Sequence, residues 1–305
     1  MKACNFQIER ASIFDMYGIV KMALAYHKDD PKSQAILSNP LKSFLYKFLG
    51  PLYVRLTLAS FKVTAHGKIA GYILIKRRDH SLHVWDLVVD PELRGQGIGE
   101  SLMKFAEKRA ENRHRYVTLA VMEGNVPAMR LYEKLGYENL QFSPVCYHLG
   151  RIKETRRTSK LVNLEPVSGE TSIRSRRVHF SNILDSVIGP DKRETVQLLY
   201  PLPSKARKNT EYFTISESGK DAGHVSIKYE ENLVLIFLLV DPRIWNTAAE
   251  KEAIMKVVER GHQRSDRVEV RVIQAYEKSL ESILRDENCV TERKPSRLVL
   301  IKTLK

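Results

Sequence analysis

Along the first half of the chain, segments whose apolar residues recur with the period of a helix are interspersed with segments that have the period of a strand. Gly67-Lys68 and Asp79-His80 are turn signals between apolar runs, so the strands around them are predicted to form an antiparallel meander. The predicted elements are a strand over 6–11, helices over 13–26 and about 40–60, strands over 61–68, 69–78 and 82–90, a helix over about 97–113, a strand over 116–122, a helix over 126–135, and closing strands over 137–142 and 145–152. Strands that come first in a meander and then alternate with helices predict an α+β fold with a mixed sheet.

The second half repeats this pattern. Residues 87–121 and 238–272 both contain an apolar strand, the tripeptide Val-Asp-Pro, a turn, an amphipathic helix and another strand. Val89-Asp90-Pro91 falls on Val240-Asp241-Pro242 at an offset of 151, and an opening strand is predicted near 161–166. A period of this length indicates a duplicated domain rather than a solenoid.

We therefore expect two tandem domains, residues 1–155 and 156–305. The boundary is predicted in the polar stretch 151–160, which lacks apolar periodicity. Residues 201–211 are predicted to be a loop inserted in the second domain. Each domain should hold a mixed, mostly antiparallel sheet flanked by helices.

Composition narrows the class of protein. With 43% hydrophobic and 28% charged residues, the 305-residue chain is typical of globular proteins. No apolar run is long enough for a membrane helix, and residues 1–12 are too polar for a secretory leader, so we expect a cytoplasmic protein without a membrane partner. Three widely separated cysteines (Cys4, Cys146, Cys289) argue against a disulfide framework, and no metal site is expected.

The net charge of +14 is spread along the chain. Residues 1–150 hold 21 basic and 14 acidic side chains, and residues 151–305 hold 29 and 22, which gives +7 for each half. A diffuse basic balance favours anionic ligands and acidic partners, and it leaves weak nucleic-acid binding open. A basic but merely solvated surface explains the charge equally well.

A glycine-rich turn is the first candidate for a functional site. The segment Arg94-Gly95-Gln96-Gly97-Ile98-Gly99 links the strand that ends at Asp90 to the next helix. Glycines let the backbone approach a ligand closely, and N–H groups at a helix start bind anions such as a pyrophosphate. The spacing differs from a dinucleotide fingerprint, and a P-loop would need Gly-Lys-Ser/Thr. A tight strand–helix turn without ligand is the alternative.

Two motifs in order resemble one family. The first, Arg94 to Gly99 after Val-Val-Asp-Pro, resembles the acetyl-CoA-binding signature of the GCN5-related N-acetyltransferases, the GNAT superfamily. The second, from Asn125 through Ala128, Leu131 and Tyr132 to Gly136-Tyr137, resembles the signature typical of the ribosomal-protein and peptide N-terminal acetyltransferase branch. The resemblance covers about residues 5–150 and implies two tandem GNAT-like domains, of which the first is catalytic.

The resemblance also implies roles for these residues. The strand end Leu87-Val88-Val89 would offer backbone groups to the pantetheine arm and polarise the thioester carbonyl. The residues from Arg94 to Gly99 would bind the pyrophosphate of acetyl-CoA. Asn125 would hydrogen-bond the cofactor, although its type and position fit a helix N-cap equally well.

Tyr132 is implied to be the general acid that protonates the departing thiolate. A phenol can donate a proton to a thiol leaving group, whose pKa is near 8.5. The alternative is a core tyrosine on an amphipathic helix. The reaction implied is direct transfer from acetyl-CoA to an amine in a ternary complex, so no cysteine nucleophile is required, and Cys146 is expected to be a small buried residue.

The general base departs from the family pattern. In the ribosomal-protein branch a glutamate lies five residues before the asparagine, and this chain has Ala120 there. Asp86, acting through water, and Glu123 are the alternative candidates, and each also fits a solvated charge at a strand end. An α-amine, with its lower pKa, needs less help from a base than a lysine, which mildly favours α-amine acceptors.

The acceptor is expected to meet the segment 27–60, which contains Tyr46, Phe48, Tyr53 and Arg55. The alternatives for this segment are a pair of core-facing helices and, less favoured, a membrane-surface helix.

The second half lacks the residues of the first site. The offset of 151 sends Arg94, Gly95, Gly97 and Gly99 to Trp245, Asn246, Ala248 and Glu250, sends Tyr132 to Ile283, and sends the region of Asn125 to 274–276. A carboxylate at the anion site opposes phosphate binding. We therefore expect a degenerate second domain without a cofactor site.

The sequence thus predicts an acetyl-CoA-dependent N-acetyltransferase that acts on a primary amine of a protein N-terminus, a lysine or a small molecule. An acyl-CoA sensor or partner-binding module with little turnover is the alternative, favoured by Ala120. A nucleic-acid-associated protein rests on charge alone, since no known binding signature is present.

Overall fold

The computed structural model describes residues 6–27, 34, 38–78, 80–150, 161–187 and 207–304. The chain divides into two compact units. The first comprises Met1–Val121, Asn125–Asn139 and Leu300–Lys305, and the second comprises Met122–Gly124 and Leu140–Val299. The predicted linker at 151–160 and most of the predicted loop at 201–211 lie outside the described residues.

The first unit is built on a mixed sheet of seven strands in the order β1-β2-β3-β4-β5-β14-β6. All described pairs in this sheet are antiparallel except β4 with β5, which is parallel. The strands are β1 (Ile8–Arg10), β2 (Ala59–Ala65), β3 (Lys68–Arg77), β4 (Ser81–Val89), β5 (Tyr116–Met122), β6 (Glu138–Asn139) and β14 (Arg297–Thr303). The helices are α1 (Ile13–Tyr26), α2 (Pro40–Thr57), α3 (Ile98–Ala110) and α4 (Val126–Lys134).

Helix α1 begins at a capping box. Ser12 Oγ accepts a hydrogen bond from the Asp15 backbone N–H at 3.2 Å, and the Asp15 carboxylate accepts one from the Ser12 N–H at 2.7 Å. From this start α1 packs Met16 and Ile19 into a core cluster with Tyr72 of β3, Val88 of β4 and their neighbours. The cluster fixes the C-terminal end of α1 beside the end of β4.

Helix α3 covers the other face of the same strands. A Cβ on Gly71 would lie 3.0 Å from the Val88 carbonyl oxygen and 3.1 Å from Ile98 Cγ2, so glycine allows α3 to approach the sheet closely. Ile98, Leu102 and Met103 are buried there. This contact fixes the start of α3, where the glycine-rich turn ends.

The second unit holds another seven-stranded sheet, in the order β13-β7-β12-β11-β10-β9-β8. Its strands are β7 (Pro144–Leu149), β8 (Val162–Pro166), β9 (Thr210–Glu217), β10 (Lys220–Glu230), β11 (Leu233–Val240), β12 (Val268–Ile273) and β13 (Val290–Lys294). Its helices are α5 (Gly169–Val187), α6 (Ala248–His262) and α7 (Glu277–Asp286). Two mixed, mostly antiparallel sheets flanked by helices confirm the predicted α+β class and the tandem repeat.

The two sheets exchange their late strands, which the sequence analysis did not predict. The strand over 145–152 was expected to close the first sheet, but β7 lies in the second sheet, between β12 and β13. Strand β14 at the end of the chain occupies the corresponding place in the first sheet, between β5 and β6. Expecting β7 in the first sheet was wrong because an apolar strand pattern does not specify which sheet will accept the strand.

Three further features bear on the function. No helix within the described part of the chain is long and apolar enough to cross a membrane. Across the same residues, no group of three or more histidine, cysteine or acidic side chains is arranged to hold a metal ion. Burial raises the pKa of the Cys146 thiol, which disfavours the thiolate that a nucleophile would need.

Candidate active site

The glycine-rich turn starts where β4 ends. Asp90 Oδ1 accepts a hydrogen bond from the Glu92 N–H at 3.0 Å and begins a single 3₁₀ turn over Pro91–Leu93. Gly95 and Gly97 then adopt positive φ angles of 78° and 87°, and α3 begins at Ile98. Residues with a Cβ rarely adopt this left-handed backbone conformation, which explains why positions 95 and 97 are glycine.

The turn presents a helix start to open space. The Ser101 N–H bonds to the Gly97 carbonyl oxygen, which leaves the N–H groups before it without an acceptor inside the helix. A Cβ on Gly95 or Gly97 would meet nothing within 4 Å, so the space in front of the turn is open. Arg94 and Gln96 are exposed beside it. These N–H groups, the helix dipole and a guanidinium can together bind a pyrophosphate.

Gly99 serves a packing role as well. A Cβ at this position would lie 3.3 Å from Leu131 Cδ2 on α4, and it would also touch the side chains of Leu87 and Val89. Glycine therefore allows the first turn of α3 to pack closely against α4 and β4. The motif thus combines conformational freedom at its first two glycines with close packing at its third.

Strand β4 parts from β5 beside this turn. The parallel pairs run from Ser81 with Tyr116 to Val84 with Leu119 and go no further. On its other edge β4 stays paired with β3 as far as Val89, with an irregularity at Trp85, which the pairing skips. The edge of Leu87-Val88-Val89 that would face β5 therefore has backbone groups available for a ligand, although Arg94 Nε donates to the Val89 carbonyl oxygen at 3.3 Å.

Helix α4 carries the candidate acid. Asn125 caps the helix, because its Oδ1 accepts a hydrogen bond from the Ala128 N–H at 3.3 Å. Two turns later Tyr132 is buried, with 7% of its surface exposed, and its ring meets that of Tyr137 edge to face. Burial raises the pKa of Tyr132, and the nearby Asp86 and Tyr26 raise it further. The phenol therefore stays protonated at neutral pH and is available as a proton donor.

Asp86 lies at the centre of a polar cluster. Its Oδ2 accepts a hydrogen bond from the Tyr72 hydroxyl at 2.7 Å, and its Oδ1 lies 3.1 Å from His27 Nε2. Tyr72 is fully buried in β3, whereas the side chains of Asp86 and His27 are 17% and 39% exposed. The cluster joins the C-terminal end of α1 to the part of β4 beyond the parting of the strands.

Tyr26 connects this cluster to the turn and to α4. Its hydroxyl accepts a hydrogen bond from Asn125 Nδ2 at 3.3 Å, and its ring lies 5.3 Å below the Arg94 guanidinium. The Tyr26 and His27 rings meet edge to face at 5.1 Å. Sequence reasoning missed Tyr26, His27 and Tyr72, because only the fold brings the end of α1 to β3, β4 and α4.

Glu123 forms an ion pair within the second unit. Arg293 donates to both oxygens of its carboxylate, at 2.8 and 3.0 Å, and Ser296 contributes hydrogen bonds from N–H and hydroxyl. These bonds, with that from Arg293 first, hold the pKa of Glu123 below its usual range. A carboxylate held in this way favours a structural role over proton abstraction.

Replacing Glu123 is therefore expected to affect stability more than turnover. In Glu123→Gln, kcat should stay within about two-fold of wild type, because the carboxylate binds Arg293 and Ser296 and takes no part in the chemistry. The amide keeps the shape of the side chain and removes its charge. The unfolding free energy should fall by about 1 kcal/mol, a modest cost because the pair is partly exposed. Steady-state kinetics and amide hydrogen exchange of the second unit check this, because a chain of two units need not unfold in one step. A hundredfold loss of kcat without destabilisation would assign Glu123 to the chemistry instead.

The corresponding turn of the second unit has a similar backbone geometry but different side chains. Asp241 again begins a single 3₁₀ turn, and Asn246 has a φ of 62° where Gly95 has 78°. Trp245, at the position of Arg94, donates from Nε1 to the Val240 carbonyl oxygen at 2.9 Å, as Arg94 does to Val89. The repeat predicted from the Val-Asp-Pro tripeptides therefore extends to individual hydrogen bonds.

Glu250 fills this second turn from within the chain. Its side chain is fully buried, and its carboxylate accepts hydrogen bonds from the Asn246 backbone N–H and, at 2.7 and 2.9 Å, from the Ser279 hydroxyl. The position matches Gly99 of the first unit. The Glu250 side chain thus accepts a hydrogen bond from the backbone N–H at the position equivalent to Gly95 of the first turn.

Glu250→Ala should destabilise the second unit. The change removes the acceptor of the Asn246 N–H and leaves the Ser279 hydroxyl only its longer bond of 3.2 Å to Asn246 Oδ1, which costs about 1–3 kcal/mol. Amide hydrogen exchange, read separately for the two sheets, measures this in a chain that need not unfold in one step. Glu231→Ala, at an exposed turn of the same unit, is the matched control. Equal protection in both variants would contradict this role of Glu250.

The expected acceptor segment is only partly described. Tyr53 is 67% exposed on α2, and Arg55 is half-buried on the same helix. The side chains of Tyr46 and Phe48 lie outside the described residues.

The structure brings together Asp86, Arg94, Asn125 and Tyr132 from the sequence prediction, with Leu87 to Val89 and Gly95 to Gly99 lining the same region.

Comparison with known proteins supports this reading of the first unit. Residues 38–137 match the family described as Acetyltransferase (GNAT) family. An N-acetyltransferase of Methanocaldococcus jannaschii is 36% identical over 86 residues, which are 28% of this chain and 55% of that protein. N-alpha-acetyltransferase 30 of Dictyostelium discoideum is 30% identical over 110 residues, 34% of this chain and 58% of that protein.

A bacterial relative and a solved structure extend the comparison. The ribosomal protein bS18-alanine N-acetyltransferase of Escherichia coli K12 is 29% identical over 79 residues, 26% of this chain and 53% of that protein. The chain thus spans about half the length of these curated relatives. The crystal structure of a GCN5-related N-acetyltransferase from Sphaerobacter thermophilus has a TM-score of 0.50 at 16% identity, covering 98% of this chain and 95% of that one, which supports the fold of both halves.

The strand–turn–helix geometry, the parted strands and the sequence match agree over the same residues. The chain therefore carries, at residues 38–137, a domain of the GNAT acetyltransferase family.

Proposed function

We propose that this protein transfers an acetyl group from acetyl-CoA to a primary amine by direct attack in a ternary complex, with the α-amine of a protein or peptide as the favoured acceptor. The observation that carries the proposal is the open helix start at Gly97, which lies beside the parted end of β4 and close to a buried phenol on α4. Family membership, and relatives named for N-terminal and ribosomal-protein acetylation, support the same reading.

The residues of the first unit fit coenzyme A. The N–H groups after Gly97 and the Arg94 guanidinium would bind the pyrophosphate, and the free edge of Leu87-Val88-Val89 would align the pantetheine arm. When bound, acetyl-CoA supplies the activated acyl thioester. A backbone N–H at the parted strand can stabilise negative charge that develops on the thioester oxygen.

Tyr132 is proposed to donate a proton to the departing sulfur. Burial keeps its phenol protonated, and an acid positioned in this way typically contributes 10²–10⁴-fold to a rate. Asp86 is the better candidate for the base, because Glu123 is held by Arg293. Ala120, at the position of the family's glutamate, is exposed on β5 and cannot accept a proton.

Ala120 also keeps a second function open, namely an acyl-CoA sensor with little turnover. One experiment separates the two. Release of free thiol from acetyl-CoA is measured with a panel of N-terminal peptides, lysine peptides and small amines, and mass spectrometry locates the acetyl group on the acceptor. Acceptor-dependent release favours the enzyme, with α-amine peptides as the best acceptors. Tight binding without release on any acceptor favours the sensor.

A further inference from the structure

The contact between His27 and Asp86 is a feature that the sequence analysis did not anticipate. It joins residues 59 positions apart, at an Oδ1–Nε2 distance of 3.1 Å. Asp86 is mostly buried, and its other oxygen is held by the Tyr72 hydroxyl. His27 is more exposed than Asp86. A carboxylate fixed between a buried phenol and a partly exposed imidazole has a route for protons toward solvent.

The position of the pair suits removal of a proton from the acceptor. Asp86 lies on the part of β4 that has left β5, where the reacting groups would meet. Its charge is also felt by the buried Tyr132. The proposed acid and the Asp86 carboxylate thus belong to one site, and the more exposed His27 is bonded to this carboxylate.

We propose that Asp86 accepts the proton of the acceptor amine and that His27 is a positioning residue that orients the Asp86 carboxylate and passes the proton to solvent. This inference rests on the proposed acetyl transfer and names the base for it. A histidine held by a carboxylate is a common arrangement for proton transfer near neutral pH.

The proton balance closes without another reactant. The ammonium form of the acceptor loses one proton to the Asp86–His27 pair and becomes a nucleophile. As the new C–N bond forms and the C–S bond breaks, Tyr132 gives its proton to the sulfur and nitrogen loses its second proton. The second proton lost by nitrogen returns to Tyr132. The Asp86–His27 pair releases the first proton to solvent.

The groups that face the pair define its expected pH response. Among the described residues they include Asp86 of β4, the Tyr72 hydroxyl of β3, the Tyr26 ring of α1 and the buried Tyr132 of α4. The Arg94 guanidinium lies over the Tyr26 ring. Among these groups, the imidazole is the type whose charge changes near neutral pH, and a neighbouring carboxylate favours its charged form.

The kinetic test compares His27→Gln, His27→Ala and Asp86→Asn in the full chain, with the best peptide acceptor of the panel at saturation. Glutamine can still donate to Asp86 but does not titrate. We expect the acid limb of the wild-type kcat profile to move to lower pH by about one unit or more in His27→Gln, with about a tenfold lower plateau. His27→Ala should lose more, and Asp86→Asn should lose about a hundredfold or more.

His66→Asn is the matched control. His66 is exposed in the β2–β3 turn of the same unit with a φ of 50°, a conformation that asparagine accepts. This variant should keep both the wild-type plateau and the wild-type acid limb. If His27→Gln also keeps both, the inference is overturned, whereas a purely structural role would lower the plateau and leave the limb in place.

A second readout does not depend on turnover. Nitrogen NMR of histidine-labelled protein follows the His27 imidazole with pH, and its titration midpoint should move to lower pH in Asp86→Asn, because a neighbouring negative charge is lost. An unchanged midpoint would contradict the pair. Loss of acetyl-CoA binding or of all acetyl transfer in wild type would instead count against the proposed function, so the two failures are distinguishable.

Discussion

Tyr132→Phe should lower kcat by about 10²–10³-fold while the affinity for acetyl-CoA stays within about two-fold of wild type. The phenol is buried and protonated, so its removal takes away the proton donor and little else. The ring is retained, and with it the edge-to-face contact with Tyr137. Steady-state thiol release and calorimetric titration with acetyl-CoA measure the two quantities independently.

Tyr137→Phe is the control for this variant. It removes a hydroxyl from the neighbouring buried ring and keeps the same aromatic contact, so kcat should change by no more than about two-fold. A Tyr132→Phe protein that retains more than half of the wild-type kcat would rule out Tyr132 as the acid. Equal losses in the two variants would mean that packing, rather than proton transfer, explains the effect.

Gly97→Glu should raise the Kd for acetyl-CoA by at least about a hundredfold, equivalent to roughly 2.7 kcal/mol. A side chain at φ 87° costs about 1–2 kcal/mol in backbone strain. The carboxylate would also face the expected pyrophosphate across an exposed helix start, where charges about 4 Å apart repel by about 4 kcal/mol. Gly97→Ala carries the strain alone and should weaken binding only several-fold.

Gly67→Glu is the matched control for Gly97→Glu. Gly67 has a φ of 73° and equally open surroundings, but it lies in the turn between β2 and β3. Both variants should lose similar stability, and only Gly97→Glu should lose acetyl-CoA. Normal affinity in Gly97→Glu would show that this turn does not bind the phosphates.

Much of the first fold could be predicted because local signals agree there. Helix α1 begins at the capping box of Ser12 and ends at Tyr26, and strand β5 covers 116–122, both as the sequence predicts. Strand β3 begins directly after the Gly67 turn. Periodicity, caps and turn residues are short-range properties, and a short window of sequence contains them in full.

The pairing of late strands could not be predicted in this way. Strands β7 and β14 have similar apolar patterns, and the choice of sheet depends on which edge is available when both repeats fold. That choice is a long-range property of the whole chain. A duplicated sequence makes the two choices locally equivalent, so periodicity alone assigned β7 to the wrong sheet.

The candidate site likewise has a part that could be predicted from the sequence and a part that depends on the fold. The glycine turn and Tyr132 are contiguous motifs, and they were identified from the sequence. The bond between His27 and Asp86 and the contact of Tyr26 with Asn125 depend on the approach of α1 to β4 and α4. Similarly, the sequence placed a carboxylate at Glu250, whereas its bond to the Asn246 N–H required the folded turn.

The central claim is that this chain has one working acetyl-CoA site, in the first unit, and that Glu250 fills the equivalent turn of the second. Calorimetric titration of the full chain with acetyl-CoA tests this most directly, because it gives the number of sites as well as the affinity. The account predicts one site per chain in wild type, and a Kd raised at least about a hundredfold in Gly97→Glu. Two sites per chain, or one site whose affinity is unchanged in Gly97→Glu, would contradict it.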